Sequence, residues 1–177
     1  GRASHHDEKR HGGHFDSTLT DLGRTQVRAR ALAWQAAGVK FDRIITSTLQ
    51  RANESARIIG EILGVAIDND PDWMELDNGP LAGMTRDEAE RQYPKPGFRN
   101  PYEPFCGSGE SDWELHSRAA RAVEHVIRRG VGDYLVVAHG GILNAAMRTI
   151  VGAPPAVYHQ GVWFAFGETG YVRTEYD

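Results

Sequence analysis

The stretch Tyr134-Leu135-Val136-Val137-Ala138-His139-Gly140-Gly141 decides how this chain is read. Its apolar run has the length and character of a buried strand. The two glycines then open a helix that continues to about Ile150. A histidine at the carboxyl end of such a strand sits where open α/β sheets bind ligands. The glycines, Gly140 first, let backbone approach a bound group closely. A strand-end histidine can also be satisfied by backbone hydrogen bonds alone; its placement favours a functional role.

The segments around it alternate in the same way. Thr20 to about Gly38 has helical spacing, with Thr20 as cap, Val27, Ala31 and Trp34 on one face, and Gly38 as closure. Arg43 to Ser47 is short and β-branched, a buried strand. Ser47 and Gln50 have capping-box spacing, so the next helix is expected from Ser47, with Ala52, Ala56, Ile59 and Leu63 inward and Gly64 closing it. Val65-Ala66-Ile67 is expected as a short strand. Residues 68–111 are broken by prolines and glycines and leave room for one helix near Thr85–Gln92. Ser111 to Arg129 is helical again, with Leu115, Ala119, Ala122 and Val126 on one side. Val162–Phe166 and Tyr171–Tyr176 are expected as closing strands joined by a Gly-Glu-Thr-Gly turn. Strands alternating with helices imply a three-layer α/β fold, a mostly parallel central sheet with helices on both faces.

At 177 residues and 40% apolar, the chain is expected to form one domain over 1–177. A net charge of -4 argues against general nucleic-acid or membrane-surface binding. Cys106 is the only cysteine, which excludes an intrachain disulfide and fits a cytoplasmic setting.

Two further segments carry chemistry. Thr46 to Ala52 places Arg51 in the first turn of a helix that follows a buried strand. Helix N-termini favour anions, and an arginine adds a bidentate donor for phosphate; pairing to a surface carboxylate is the alternative. Trp73 to Thr85 places Glu75 beside apolar residues in a loop. A partly desolvated carboxyl can serve as a general acid, although most loop glutamates are simply solvated.

Together these segments resemble the histidine phosphatase superfamily, in its phosphoglycerate mutase-like branch. The resemblance runs through Leu19-Thr20-x-x-Gly23, Ser47-x-x-x-Arg51-Ala52, the loop of Glu75, Gly79 and Gly83, Gly109-Glu110-Ser111 with Arg118, and His139-Gly140-Gly141. It implies catalysis by a histidine in an Arg-His-Gly motif at the end of the first strand. That motif can be placed in two ways. Arg10-His11-Gly12 matches as a triplet, but Ser4 to Lys9 is too polar for a strand and the distance to Leu19 is too short. With Gly1 as the motif glycine, the pattern runs without a gap: Arg10, Gly13, Asp16 and Leu19-Thr20 all fall on family positions. The expectation is therefore a first strand and an Arg-His pair immediately before Gly1.

The resemblance then implies a phosphomonoesterase acting on a small phosphorylated metabolite through a phosphohistidine. Arg51 and His139 would hold the transferring phosphate and Glu75 would be the general acid. Gly1, His6, Gly12, Gly13 and Gly140 would line the phosphate side. Ala3 stands where threonine or serine is common, and His6 where asparagine is. No metal and no cofactor is implied, because arginines and histidines supply the positive charge. A metal cluster of His5, His6, Asp7, His11 and His14 is the minor reading of the histidine-rich start. The short segment between Glu75 and Glu110 favours hydrolysis over a mutase; a non-catalytic phosphate-binding or phosphocarrier module is the other alternative. Trp73, Phe98, Tyr102 and Phe105 are expected near the pocket mouth or over the core. Arg86, Arg91, Lys95 and Arg99 are candidates for a second anionic group, or a solvated basic surface.

Overall fold

Ile44 and Ile45, both 0% exposed, set the layers, because successive strand side chains leave on opposite faces. They lie in strand β1, Arg43–Thr46. Ile44 packs with Leu19, Val27, Ala31, Trp34, Ala56 and Ile59. All but Leu19 come from helices α2, Asp21–Ala36, and α3, Gln50–Leu63, which form one outer layer. Ile45 packs with Trp73, Leu115, Ala119, Ala122, Ile142 and Ala145 on the other face. That layer is α5, Asp112–Ile127, and α6, Gly140–Ile150. The computed structural model describes residues 1–155 and 161–176, and within them the fold is three-layer α/β.

Strand β1 lies between β2, Ile67–Asn69, and β3, Tyr134–Val137, and both pairings are parallel. The register sets Ile44 opposite Ile67 and Leu135. The chain enters through a single helical turn, α1, Ser4–Asp7, and Ala3 forms an antiparallel bridge with Leu19. The remaining helix is α4, Arg86–Gln92.

Local chemistry explains most boundaries. Thr20, Thr85 and Ser111 cap α2, α4 and α5 through their hydroxyls, the last two with full capping boxes to Glu88 and Glu114. Gly64 closes α3 in the left-handed region at φ 70.

Three expectations differ. The helix expected from Ser47 begins at Gln50: Ser47 Oγ accepts from Leu49 N at 3.2 Å, and Gln50 N donates instead to Asp16 Oδ1 at 2.7 Å. A carboxylate remote in sequence thus takes the role assigned to Ser47. The strand expected at Val65–Ile67 is shifted to Ile67–Asn69 because Val65 N is committed to Gly60 O at the end of α3. The closing strands are not formed. Phe164 donates to Asn144 Oδ1 and accepts from Asn144 Nδ2, and Val162 O accepts from Arg148, so α6 side chains hold backbone that was expected in a ladder. The turn between them does form, with Gly170 N donating to Gly167 O at 2.9 Å.

Candidate active site

Among the described residues β3 is an edge strand, paired with β1 on one side only. Its open side borders a cleft of about 480 Å³. Leu135, Val136, Val137 and Ala138 all line it, which presents the strand edge rather than one face. Val27 and Trp34 of α2 contribute to the wall, with Phe166 and Tyr171 from the closing segment. At the carboxyl end of the sheet the lining turns polar. There Gly1, His6, Gly12, Gly13, Arg51, Glu75, His139 and Gly140 converge, so every residue singled out as catalytic or phosphate-binding borders this one space.

Arg51 reaches it from the first turn of α3. Its guanidinium is buried and donates to Phe15 O at 2.8 Å and Gly13 O at 2.9 Å. It therefore braces the loop of residues 12–17 as well as facing the cleft. Gly13 adopts φ +52, and a Cβ there would overlap the Asn78 side chain. Glycine is required at that position on both counts.

His139 stands at the N-cap of α6 and is buried, with Nε2 2.8 Å from Ser47 Oγ. Burial, then the charge of Arg51, and then His5, His14 and Arg118, hold its pKa well below the ordinary imidazole range. The ring is therefore neutral, and an oxyanion beside it would favour its protonated form.

Glu75 is half-buried between Met74 and Leu76, and backbone N–H groups hold its carboxylate. Its carboxylate accepts from Leu76 N at 2.8 Å, Gly141 N at 3.1 Å and Ile142 N at 3.2 Å. It thus sits on the positive end of α6. Arg118 fixes the backbone beneath it, donating to the carbonyls of Asp72, Met74 and Glu75 while pairing twice with Glu110. His14 Nε2 lies 2.9 Å from Glu75 O and ties the loop of residues 12–17 to the acid loop.

A Cβ at Gly141 would overlap Glu75 Oε1. Gly141→Ala is therefore expected to displace the carboxylate and, with Glu75 in the general-acid role the resemblance implies, to lower kcat by roughly 10–100-fold. The fold is retained, since alanine in a helix is favoured over glycine by about 1 kcal/mol. Steady-state kinetics beside a thermal melt separates the two effects.

Other expectations fall elsewhere. His11 is not in the cleft lining; its N–H donates to Met84 O and its carbonyl accepts from Gly83 N. Arg10 bridges Thr85 and donates to Gly83 O. Of the four aromatics, Trp73 is core, Tyr102 stacks on Trp113 and Phe105 lies under Arg99, and none lines the cleft. Phe98 is largely exposed and does not line it either. Arg99 pairs with Asp112 at 2.6 Å. Among the described residues the only metal-compatible group is Asp70, Asp72 and His125, so the histidine-rich start does not assemble one. Asp72 there already holds Arg121 by two bonds. No described helix is long and apolar enough to cross a membrane.

The sequence reading placed His5 only in the minor metal cluster, not in the cleft lining, and missed the partnership of Ser47 with His139 and the aromatic wall. His5 had a signal in its adjacency to His6. Trp34, Phe166 and Tyr171 had none, since only the sheet's open edge brings them together.

The family model described as histidine phosphatase superfamily (branch 1) matches residues 1–177. A probable phosphoglycerate mutase GpmB of Yersinia enterocolitica is 31% identical over 149 residues, covering 81% of this chain and 67% of that protein. A 2,3-bisphosphoglycerate-dependent phosphoglycerate mutase of a Methylobacterium species is 32% identical over 149 residues, covering 77% and 70%. Among solved structures, a native mycobacterial glucosyl-3-phosphoglycerate phosphatase superposes with a TM-score of 0.73 at 26% identity, covering 88% of this chain and 77% of that one.

Proposed function

Because the chain belongs to branch 1 of the histidine phosphatase superfamily, we propose that it is a phosphomonoesterase working through a phosphohistidine on a small phosphorylated metabolite. The observation that carries this reading is the convergence of Gly1, Arg51, Glu75 and His139 on one cleft. The family's nucleophile is the histidine of an Arg-His-Gly motif, and Gly1 falls on the glycine of that motif.

In the first step the histidine nitrogen attacks phosphorus and the bond to the ester oxygen breaks. Glu75 gives its proton to the leaving alcohol. In the second step water attacks the phosphoenzyme, Glu75 takes the water proton, and the P–N bond breaks to release phosphate and free histidine. Covalent catalysis divides one difficult displacement into two. Arg51 and His139 meet the charge on the equatorial oxygens with donors already in place. Glu75 lies on a helix end rather than in an open loop, so its position is fixed throughout.

Hydrolysis is favoured over mutase chemistry because residues 76–110 contribute nothing to the cleft lining. That segment holds α4 and two 3₁₀ turns, and it places no cover over the space. Both transfers remain within the family: mutases and a phosphatase are among the relatives. Offered a panel of phosphomonoesters without added metal, the protein is expected to release inorganic phosphate. Offered 3-phosphoglycerate with bisphosphoglycerate, it should again release phosphate; isomerisation instead would favour the mutase, and silence on both would favour a binding module.

A further inference from the structure

His5 is a buried titratable group that the mechanism above does not use. It lies on the single turn α1 and is 8% exposed, yet it borders the cleft. Its Nδ1 is 2.6 Å from Ser17 Oγ, itself buried. Its ring lies tilted against His6, with centroids 4.0 Å apart and the planes at 35°. The other nitrogen points the opposite way: a Cβ at residue 12 would lie 3.0 Å from Nε2, so Gly12 keeps that approach clear. The groups facing the ring are His6 of its own turn, Arg51 of α3 and His139 of α6.

We propose that His5 is a substrate-binding residue whose Nε2–H donates to the anionic group in the cleft, with Ser17 selecting the tautomer. This rests on the reading of the cleft as a phosphomonoester site. A neutral imidazole has one N–H, and the partner of one nitrogen decides where the hydrogen sits. The Ser17 hydroxyl can turn its hydrogen onto Nδ1, which leaves the hydrogen on Nε2, facing the anion. Burial first, then His6 and Arg51, lower the His5 pKa to about 4, so the ring is neutral at physiological pH. It therefore binds and orients without exchanging a proton, unlike Glu75.

The test is nitrogen-15 spectroscopy of the histidines in the protein, titrated with inorganic phosphate at pH 7. The expected result is a His5 signature with hydrogen on Nε2 and a bare Nδ1, and a phosphate-dependent shift at Nε2. His5→Phe keeps a flat ring but removes the donor; it should raise KM and the phosphate Ki about tenfold with kcat within a few-fold, the pattern of lost uniform binding. His5→Gln, which can restore a donor near Nε2, should recover part of that loss. Ser17→Ala should let the hydrogen move to Nδ1 and weaken phosphate binding without touching the ring. Phosphate that shifts His139 but leaves His5 unmoved overturns this proposal alone. Phosphate that shifts neither, together with no phosphate release, overturns the phosphomonoester reading and this proposal with it.

Discussion

Arg51→Ala is expected to lower kcat for phosphomonoester hydrolysis by roughly 10²–10³-fold, the cost of removing one preorganised donor from a developing oxyanion. Two effects combine. The guanidinium that faces the cleft is lost, and the carbonyls of Gly13 and Phe15 lose their donor. A fully buried carbonyl stripped of its donor costs about 1–3 kcal/mol; these two are part-buried, so the variant should melt somewhat earlier. Arg51→Lys separates the two. Its point charge can serve the phosphate or a loop carbonyl but cannot reproduce the planar fork. The lysine variant should fall between wild type and alanine in rate. Steady-state kinetics with an aryl phosphate checks this, and a change within threefold for Arg51→Ala would remove the residue from the chemistry.

The largest effect is expected at the open edge of β3. Supplying residues 1–177 with an apolar strand that ends in Arg-His, joined to Gly1 or added as a peptide, should raise turnover by at least ~10³-fold, the scale on which a covalent nucleophile matters. The geometry defines the guest. Leu135 and Val137 pack toward the α2–α3 layer, while Val136 and Ala138 pack toward α5–α6. A strand laid along that edge meets apolar walls on both faces, so it should be apolar at successive positions rather than alternating. Pairing also supplies partners to backbone groups at the strand edge and should raise Tm by several degrees. The same strand ending in Arg-Ala should raise Tm but not turnover. Equal turnover from both strands would put the nucleophile elsewhere in the cleft.

Much of this was legible because the decisive signals are local. The strand at Tyr134, the caps at Thr20, Thr85 and Ser111, and the glycine at 64 each act through neighbours a few residues away. The convergence of Arg51, Glu75 and His139 was legible only through resemblance, since each alone reads equally as structure. What failed is non-local. Asp16 caps α3 from a different loop, and Asn144 claims the backbone of Phe164 across a gap in sequence. Two of the three N–H groups on the Glu75 carboxylate come from α6, so no reading of its own flanking residues could find those two. His5 was hidden for a similar reason: Ser17, Gly12 and Arg51, which give its ring a direction and a charge state, are distributed over two segments.

The phosphoryl group is expected on the histidine of an Arg-His strand leading into Gly1. The direct measurement is rapid quench of residues 1–177 supplied with that strand, using a labelled phosphomonoester, followed by peptide mass spectrometry under conditions that preserve phosphoramidates. An acid-labile phosphate should appear on the strand's histidine, formed faster than product accumulates and absent in Arg51→Ala at matched times. Phosphate found on His5, His6 or His11, or turnover with no acid-labile intermediate, would contradict it.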